Sequence, residues 1–318
     1  MNFGIIGLGR IAKKFAKTIN EIEGSTLYAV GSRDIIKAEE FKREFNANVA
    51  YGSYEELYED KNIDCIYIAT PNSMHYKNAM DALMHGKNVI CEKPFTINPS
   101  EAKELYNYAK EHKLFIMEAL WIEFLPAYKR IKEIIKNGEI GNVKEVRVSY
   151  GFSITPDRRE RKFISSLGGG ALLDIGIYNL ALIDLILDGR PISINSSYRL
   201  NEYNTDEWSR VELIYSNAKA IMTTAIGEDL KREAYIIGDK GMIYIPDFQQ
   251  NQEFRVNGTI YSYPFKINGF EYQIEEAIKC INLRMTESSI YGADRSIRLS
   301  NILYDIRKSF NLKFDCEE

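Results

Sequence analysis

The chain is poor in the residues that announce metal, disulfide or secreted chemistry. Its 318 residues hold four cysteines, three histidines, two tryptophans and eight prolines. Cys65, Cys91, Cys280 and Cys316 show no CxxC or other ligand spacing, which argues against a disulfide framework and fits reduced thiols in a cytoplasmic protein. His75, His85 and His112 are too dispersed to suggest a metal centre, and no metal is expected. The start, Met1-Asn-Phe-Gly-Ile-Ile-Gly, lacks the basic head, long apolar stretch and small-residue cleavage site of a signal peptide. No uninterrupted apolar run approaches the ~18 residues of a membrane span, so no membrane partner is expected. Positive charge is not in excess either: 41 Lys and Arg against 45 Asp and Glu give a net charge of −4. That leaves no electrostatic footprint for nucleic acid. The densest basic clusters, Lys129-Arg130 and Arg158-Arg159-Glu160-Arg161-Lys162, read as solvated faces, although the second lies in a candidate active-site loop. Internal repeats and low-complexity linkers are missing.

What is present is an ordinary globular composition, 45% hydrophobic and 27% charged, on a chain too long for one comfortable core. Two domains are expected, residues 1–120 and 121–318, with the boundary near Glu118–Phe124. In the first, short apolar runs at Phe3–Ile6, Thr26–Val30, Cys65–Ala69, Val89–Cys91 and Phe115–Met117 read as strands covered on both faces. Amphipathic stretches at Ile11–Ile22, Ile35–Phe45, Met74–His85 and Pro99–Lys110 alternate with them, the pattern of a parallel sheet built by right-handed crossovers. In the second, Val143–Tyr150 alternates through Val146, Val148 and Tyr150. Further strand-like stretches follow at Ile192–Leu200, Val211–Tyr215, Ala220–Ala225, Ala234–Ile237, Met242–Ile245 and Ile260–Tyr263. Helices are expected at Ala171–Leu187, Glu271–Asn282 and Asp294–Phe310. This predicts an α+β domain on a largely antiparallel open sheet.

Gly7-Leu8-Gly9-Arg10-Ile11-Ala12 follows the first strand and opens a helix. Gly7 permits the tight turn, Gly9 lets the backbone approach a pyrophosphate, and the helix N-terminus with Arg10 and Ile11 offers it N–H groups. The first domain therefore reads as a dinucleotide-binding Rossmann domain. At the end of the second strand, Ser32 and Arg33 offer donors and charge to a ribose 2′-phosphate, which favours NADP. Asp34 stands one register step from the carboxylate position of an NAD site, so NAD stays open. Thr70-Pro71-Asn72 ends the next strand, where side chains can line the cofactor. His75 either faces the same cleft or serves as a cap or packing residue.

Cys91-Glu92-Lys93-Pro94 places a charged pair where a buried parallel strand emerges, the edge at which such sheets bind ligands. Lys93 is a candidate to hold a substrate hydroxyl, with Glu92 orienting it or pairing elsewhere. In Gly168-Gly-Gly-Ala-Leu-Leu-Asp174-Ile-Gly-Ile-Tyr178, the glycines end a loop and the remainder reads as a helix. Asp174 and Tyr178 are then i and i+4 on one face. A phenol, with an unperturbed pKa near 10, is a poor base at neutral pH without a neighbouring cation, a part Lys93 can fill.

Together these residues resemble the Gfo/Idh/MocA oxidoreductase family, most specifically through Glu92-Lys93-Pro94. Tyr178 in place of the commoner histidine, with Met117-Glu-Ala-Leu-Trp121 and Gly170-Ala-Leu-Leu-Asp-Ile-Gly-Ile-Tyr178, is similar to the dimeric dihydrodiol dehydrogenase branch. That branch includes NADP-dependent D-xylose dehydrogenases. The resemblance implies a Rossmann domain with a C-terminal sheet domain, often a cis bond before Pro94, and a homodimer. It also implies Lys93 and Asp174 in the active site, Tyr178 as acid/base, and Trp121 and Phe152 at the substrate pocket. The expected reaction is hydride transfer between NADP and a hydroxyl or carbonyl of a sugar, polyol or dihydrodiol. Two alternatives remain open on the same fold: NAD-dependent glycoside hydrolysis, and a non-catalytic nucleotide-sensing regulator.

Overall fold

Burial on both faces makes the first sheet. The strands β1 (Asn2–Ile6), β2 (Thr26–Gly31), β3 (Val49–Tyr51), β4 (Cys65–Ile68), β5 (Asn88–Glu92) and β6 (Ile116–Ala119) pair in the order β3-β2-β1-β4-β5-β6. Every pair is parallel. All four residues of β4 and of β6 are buried, as a sheet covered by crossover helices requires. The strand order reverses between β1 and β4, so the crevice beyond their C-terminal ends is a switch point. This is a computed structural model, and it describes residues 1–155 and 162–317.

Local chemistry sets the helices. Gly9 precedes α1 (Arg10–Ile19), and Asp34 caps α2 (Ile35–Phe45). Ser53 caps α3 (Tyr54–Glu59) with its side chain. The helix α4 (His75–Met84) follows a short 3₁₀ turn at Asn72–Met74. Asn98, Pro99 and Glu101 start α5 (Pro99–His112) with a reciprocal capping box and a proline in the first turn, a combination that satisfies two orphan N–H groups. Phe15 of α1 stacks on Tyr67 of β4 with ring centroids 3.6 Å apart.

The first unit comprises Met1–Trp121 with Lys266–Ile297, and the second Ile122–Phe265 with Arg298–Glu318. This corrects the expectation of a second domain running unbroken from 121 to 318. The returning segment is tied to the first unit through its backbone, where Ile116 N–H donates to Thr286 O at 3.0 Å, and its own start is fixed by a carboxylate. Glu271 collects the N–H groups of Lys266, Ile267, Asn268 and Gly269 at 2.6–3.0 Å. Four converging amides are a strong reason for a fully buried glutamate.

In the second unit, β7 (Val143–Phe152), β8 (Ser193–Leu200), β9 (Asp206–Ile214), β10 (Lys219–Ile226), β11 (Ala234–Gly238), β12 (Met242–Ile245), β13 (Glu253–Val256) and β14 (Thr259–Ser262) form one sheet. Their order is β14-β13-β12-β11-β7-β10-β9-β8. Only β7 and β10 run parallel. Val146, Val148, Val211, Leu213, Ala220 and Met222 are buried on one face, against α7 (Ile177–Leu187). The opposite face carries Glu145, Arg147, Arg210, Lys219, Glu233 and Tyr235 around a shallow concavity of about 450 Å³.

Among the described strands and α-helices, four escape the sequence reading: β3, α3, β13 and α6 (Pro126–Lys136). The strand β13, Glu-Phe-Arg-Val, is too short and too charged to show an apolar run. A second difference concerns membrane length. The segment Ser165–Leu187 is long and apolar enough to span a bilayer, although Asp174, Asn179 and Asp184 interrupt it, and 83% of its most apolar window is buried inside the protein. An all-round apolar helix can equally be a core helix. Here α7 is one.

Candidate active site

The cradle for a dinucleotide comes from two glycines with opposite constraints. At Gly7, φ is +80°, and a Cβ would stand 2.4 Å from Ala69 C and Thr70 N. Only glycine lets the β1 turn pass that close to the β4 loop. At Gly9 a Cβ would meet nothing nearer than Gly7 O, at 4.0 Å, so the backbone has room before it. Gly9 makes no side-chain cap, and the first turn of α1 has no acidic residue. The leading N–H groups are thus without intrahelical partners, with Arg10 exposed and Ile11 half-buried beside them. This is the arrangement that takes a phosphate at a helix N-terminus. The residues fit a dinucleotide.

Beyond β2, Asp34 is already engaged. Its Oδ1 accepts the N–H of Ile36 at 3.0 Å and of Lys37 at 3.4 Å. Ser32 Oγ accepts the Asp34 N–H at 3.1 Å, and Arg33 is exposed. The carboxylate that left NAD open in the sequence is therefore a helix cap.

The loops after β4 and β5 are joined by His75. Its ring nitrogens lie 2.8 Å from Pro94 O and 2.9 Å from Thr70 O, and the side chain is buried. Burial pulls its pKa below the ordinary histidine value, against the two carbonyl contacts. Both ring nitrogens meet backbone carbonyls, so His75 braces the two loops that border the nucleotide cradle. Thr70 Oγ1 accepts from Asn78 Nδ2 at 2.9 Å, Pro71 is exposed, and Asn72 is half-buried. The Lys93–Pro94 peptide bond is cis.

Glu92 is buried, which raises its pKa, with the Lys93 charge as the largest opposing influence. It accepts from the Tyr67 hydroxyl and from the Lys93 N–H at 3.2 Å. The glutamate thus holds the backbone of Lys93 at the strand end.

Trp121, expected at a substrate pocket, is held by close packing. It is 3% exposed, packs edge-on against Phe270 at 5.2 Å, and carries Lys14 Nζ 4.3 Å over its ring.

In the second unit, the residues before α7 form a wide i→i+5 turn over Leu172–Gly176, not the continuous α-helix expected. Such turns recur at functional sites. Asp174 sits in this turn, and Tyr178, buried, in the first turn of α7. Lys162 Nζ lies 2.5 Å from Asp174 Oδ2 and 6.0 Å from the Phe152 ring centroid. The structure thus brings Phe152 and Asp174 to one cluster. Of the basic run predicted from the sequence, Arg158–Arg161 lies outside the described residues.

Sequence reasoning missed the buried carboxylates Glu118 and Asp206. Glu118 accepts the Phe95 N–H at 3.1 Å, the Tyr291 hydroxyl at 2.9 Å and the Ser296 hydroxyl at 2.6 Å. It ties the chain just past Pro94 to the returning segment. Its signal was a charge inside an apolar strand. Asp206, fully buried, accepts the Leu172 N–H at 2.6 Å and so anchors the turn that carries Asp174. A Cβ on Gly170, where φ is +115°, would come 2.4 Å from its Oδ1.

Burial pushes the Asp206 pKa up from 3.8 to about 6. The folded state then holds this proton more tightly than the unfolded chain. Its contribution is complete below about pH 4 and is lost as pH rises through 6, on the order of 3 kcal/mol in all. Asp206→Asn should remove that downward slope. Urea unfolding of both proteins at pH 4, 5, 6 and 7 checks it, and parallel pH profiles would count against the assignment.

Known proteins share this fold. Residues 1–120 match the model of the oxidoreductase family with an NAD-binding Rossmann fold, and residues 128–244 match the GFO/IDH/MocA C-terminal domain. The trans-1,2-dihydrobenzene-1,2-diol dehydrogenase of Mus musculus is 32% identical, over 99% of this chain and 98% of its own. That of Xenopus laevis is 34% identical over 95% of each. Among solved structures, KijD10, a 3-ketoreductase from Actinomadura kijaniata in complex with NADP and TDP-benzene, superposes with a TM-score of 0.88 at 21% identity, over 97% of both chains. An aldose-aldose oxidoreductase from Caulobacter crescentus, complexed with glycerol, gives 0.87 at 21% identity, over 98% of this chain and 97% of that one. With the Gly7–Gly9 cradle and the Glu92-Lys93-Pro94 strand end, these matches place the chain in the Gfo/Idh/MocA oxidoreductase family. It is an NAD(P)-binding oxidoreductase of the dehydrogenase type.

Proposed function

We propose that the protein is an NADP-preferring dehydrogenase that interconverts a hydroxyl and a carbonyl on a sugar, polyol or dihydrodiol. The observation that carries this is a chain of contacts along one sheet edge. Gly7 abuts Ala69 and Thr70, and His75 links Thr70 to Pro94, so the pyrophosphate cradle and Lys93 belong to one braced set of loops. The substrate class follows the diol and sugar chemistry in the relatives' names. When bound, the nicotinamide supplies the hydride acceptor or donor.

The chain's own residues supply proton handling and charge. Tyr178 Oη takes the hydroxyl proton in oxidation and returns it in reduction. Lys93 Nζ stabilises the negative charge developing on the substrate oxygen. Asp174 orients a substrate hydroxyl. Arg33, exposed where Asp34 is engaged as a cap, receives the 2′-phosphate.

Nicotinamide absorbance followed with NADP and NAD over aldoses, polyols and trans-dihydrodiols tests the reading. NADP-preferring turnover is expected, and Arg33→Ala should raise KM for NADP roughly tenfold or more while leaving NAD unchanged. Equal use of both nucleotides by the wild type would sink the NADP assignment.

The same reading includes a homodimer through the exposed face of the second sheet. There Arg147, Arg210 and Lys219 alternate with Glu145 and Glu233, a pattern able to complement itself across a two-fold axis. Sedimentation velocity should give twice the chain mass, and Arg147→Glu combined with Arg210→Glu should give monomer. A monomeric wild type would overturn it.

A further inference from the structure

Asp174 has a cation partner within its own unit. Lys162 and Asp174 keep 32% and 23% of their side chains exposed, so the protein holds the pair while solvent still reaches it. The same ammonium faces Phe152, which packs with Tyr150 against a cluster of Phe163, Ala171, Ile175 and Ile226. The backbone of Lys162 is fixed by its neighbours. Its carbonyl accepts the Gly170 N–H at 2.9 Å, and a Cβ on Gly169 would come within 2.7 Å of that oxygen. The next carbonyl, of Phe163, accepts the Thr205 hydroxyl at 3.0 Å. The glycine run therefore seats Lys162 beside Asp174.

We infer that Lys162 is a specificity-determining residue that, with Asp174, binds the non-reacting hydroxyl of a vicinal diol. An ammonium carries three donors and no acceptor, and a carboxylate only accepts. A hydroxyl does both, so one hydroxyl bridges the pair, accepting from Lys162 Nζ and donating to Asp174 Oδ2. A monoalcohol has nothing to place there. The Phe152 ring covers the C–H face of a six-membered carbocycle or pyranose, the other half of recognition for such molecules. Partial exposure lets the pair take up the hydroxyl without the penalty that opening a buried ion pair carries. Lys162 has no part at the reacting oxygen, which belongs to Tyr178 and Lys93. The inference rests on the proposed function for which carbon reacts, but not for whether the diol binds.

The test compares trans-cyclohexane-1,2-diol with cyclohexanol, two probes that differ by one hydroxyl. Each is titrated into the full chain with excess NADP by saturation-transfer NMR, with nicotinamide absorbance recorded in parallel. The wild type should prefer the diol by about tenfold, the worth of one charge-assisted hydrogen bond. Lys162→Met keeps the aliphatic stem over Phe152 and should abolish the preference, whereas Lys162→Arg should retain most of it. Melting curves confirm that both variants fold. A preference unchanged in Lys162→Met overturns the inference, and so does a wild type that binds both probes equally. If the preference vanishes in Lys162→Met while no alcohol is turned over, the role of Lys162 stands and the dehydrogenase reading fails.

Discussion

Tyr178→Phe is expected to lower kcat/KM by about 10²- to 10⁴-fold, the usual contribution of a positioned acid/base group. The substitution removes one oxygen and little else. Tyr178 is buried near the head of α7, and a phenylalanine ring fills the same space. The melting temperature should therefore move by no more than a few degrees, as for a change of less than about 1 kcal/mol. The cradle of Gly7 and Gly9 lies in the other unit, so nucleotide binding should be unchanged. Steady-state kinetics by nicotinamide absorbance, with nucleotide affinity from fluorescence titration, separate these quantities. A loss confined to kcat identifies a proton-transfer residue. Turnover that survives at wild-type rate would remove Tyr178 from the chemistry and leave it a core aromatic.

Much of this was legible in the sequence because the physics is local. Continuous apolar runs such as Cys65–Ile68 report burial on both faces, and the Gly7/Gly9 spacing reports a turn that side chains would block. The charged pair at the end of β5 marked the ligand edge. Other features depend on partners distant in sequence. Nothing near Trp121 announces Phe270 and Lys14 as its neighbours. The bracing role of His75 became visible only once Pro94 O was found beside it. Asp34 is a different case: an aspartate directly before Ile35-Ile36-Lys37 is itself a helix-cap signal, and the competing ribose reading obscured it. The return of Lys266–Ile297 to the first unit is carried by contacts such as Ile116 N–H to Thr286 O and the Tyr291 and Ser296 hydroxyls to Glu118, partners with no pattern to read. Lys162 was hidden by its setting, one charge at the end of a charged run.

Replacing Lys93 by methionine should cost kcat about 10²- to 10³-fold, comparable to removing one preorganised donor at a developing oxyanion. Methionine preserves much of the stem volume. The Glu92 bonds to Tyr67 and to the residue-93 N–H do not involve the ammonium, so the strand end should keep its form. The electrostatic consequences have definite signs. The Lys93 charge lowers the pKa of both Glu92 and His75, so both should rise in Lys93→Met. For His75 this is measurable by NMR in a chain of three histidines. If Lys93 also assists Tyr178, its loss lets the phenol pKa climb, because a neighbouring cation favours the phenolate. The residual rate of oxidation should then increase with pH over a higher range than in the wild type. A scaffold role would leave the pH profile in place and scale the rate uniformly. A shifted profile therefore assigns Lys93 to the chemistry, whereas an unshifted one, with the His75 titration moved as expected, confines its charge to the first unit and leaves Tyr178 to act with another cation.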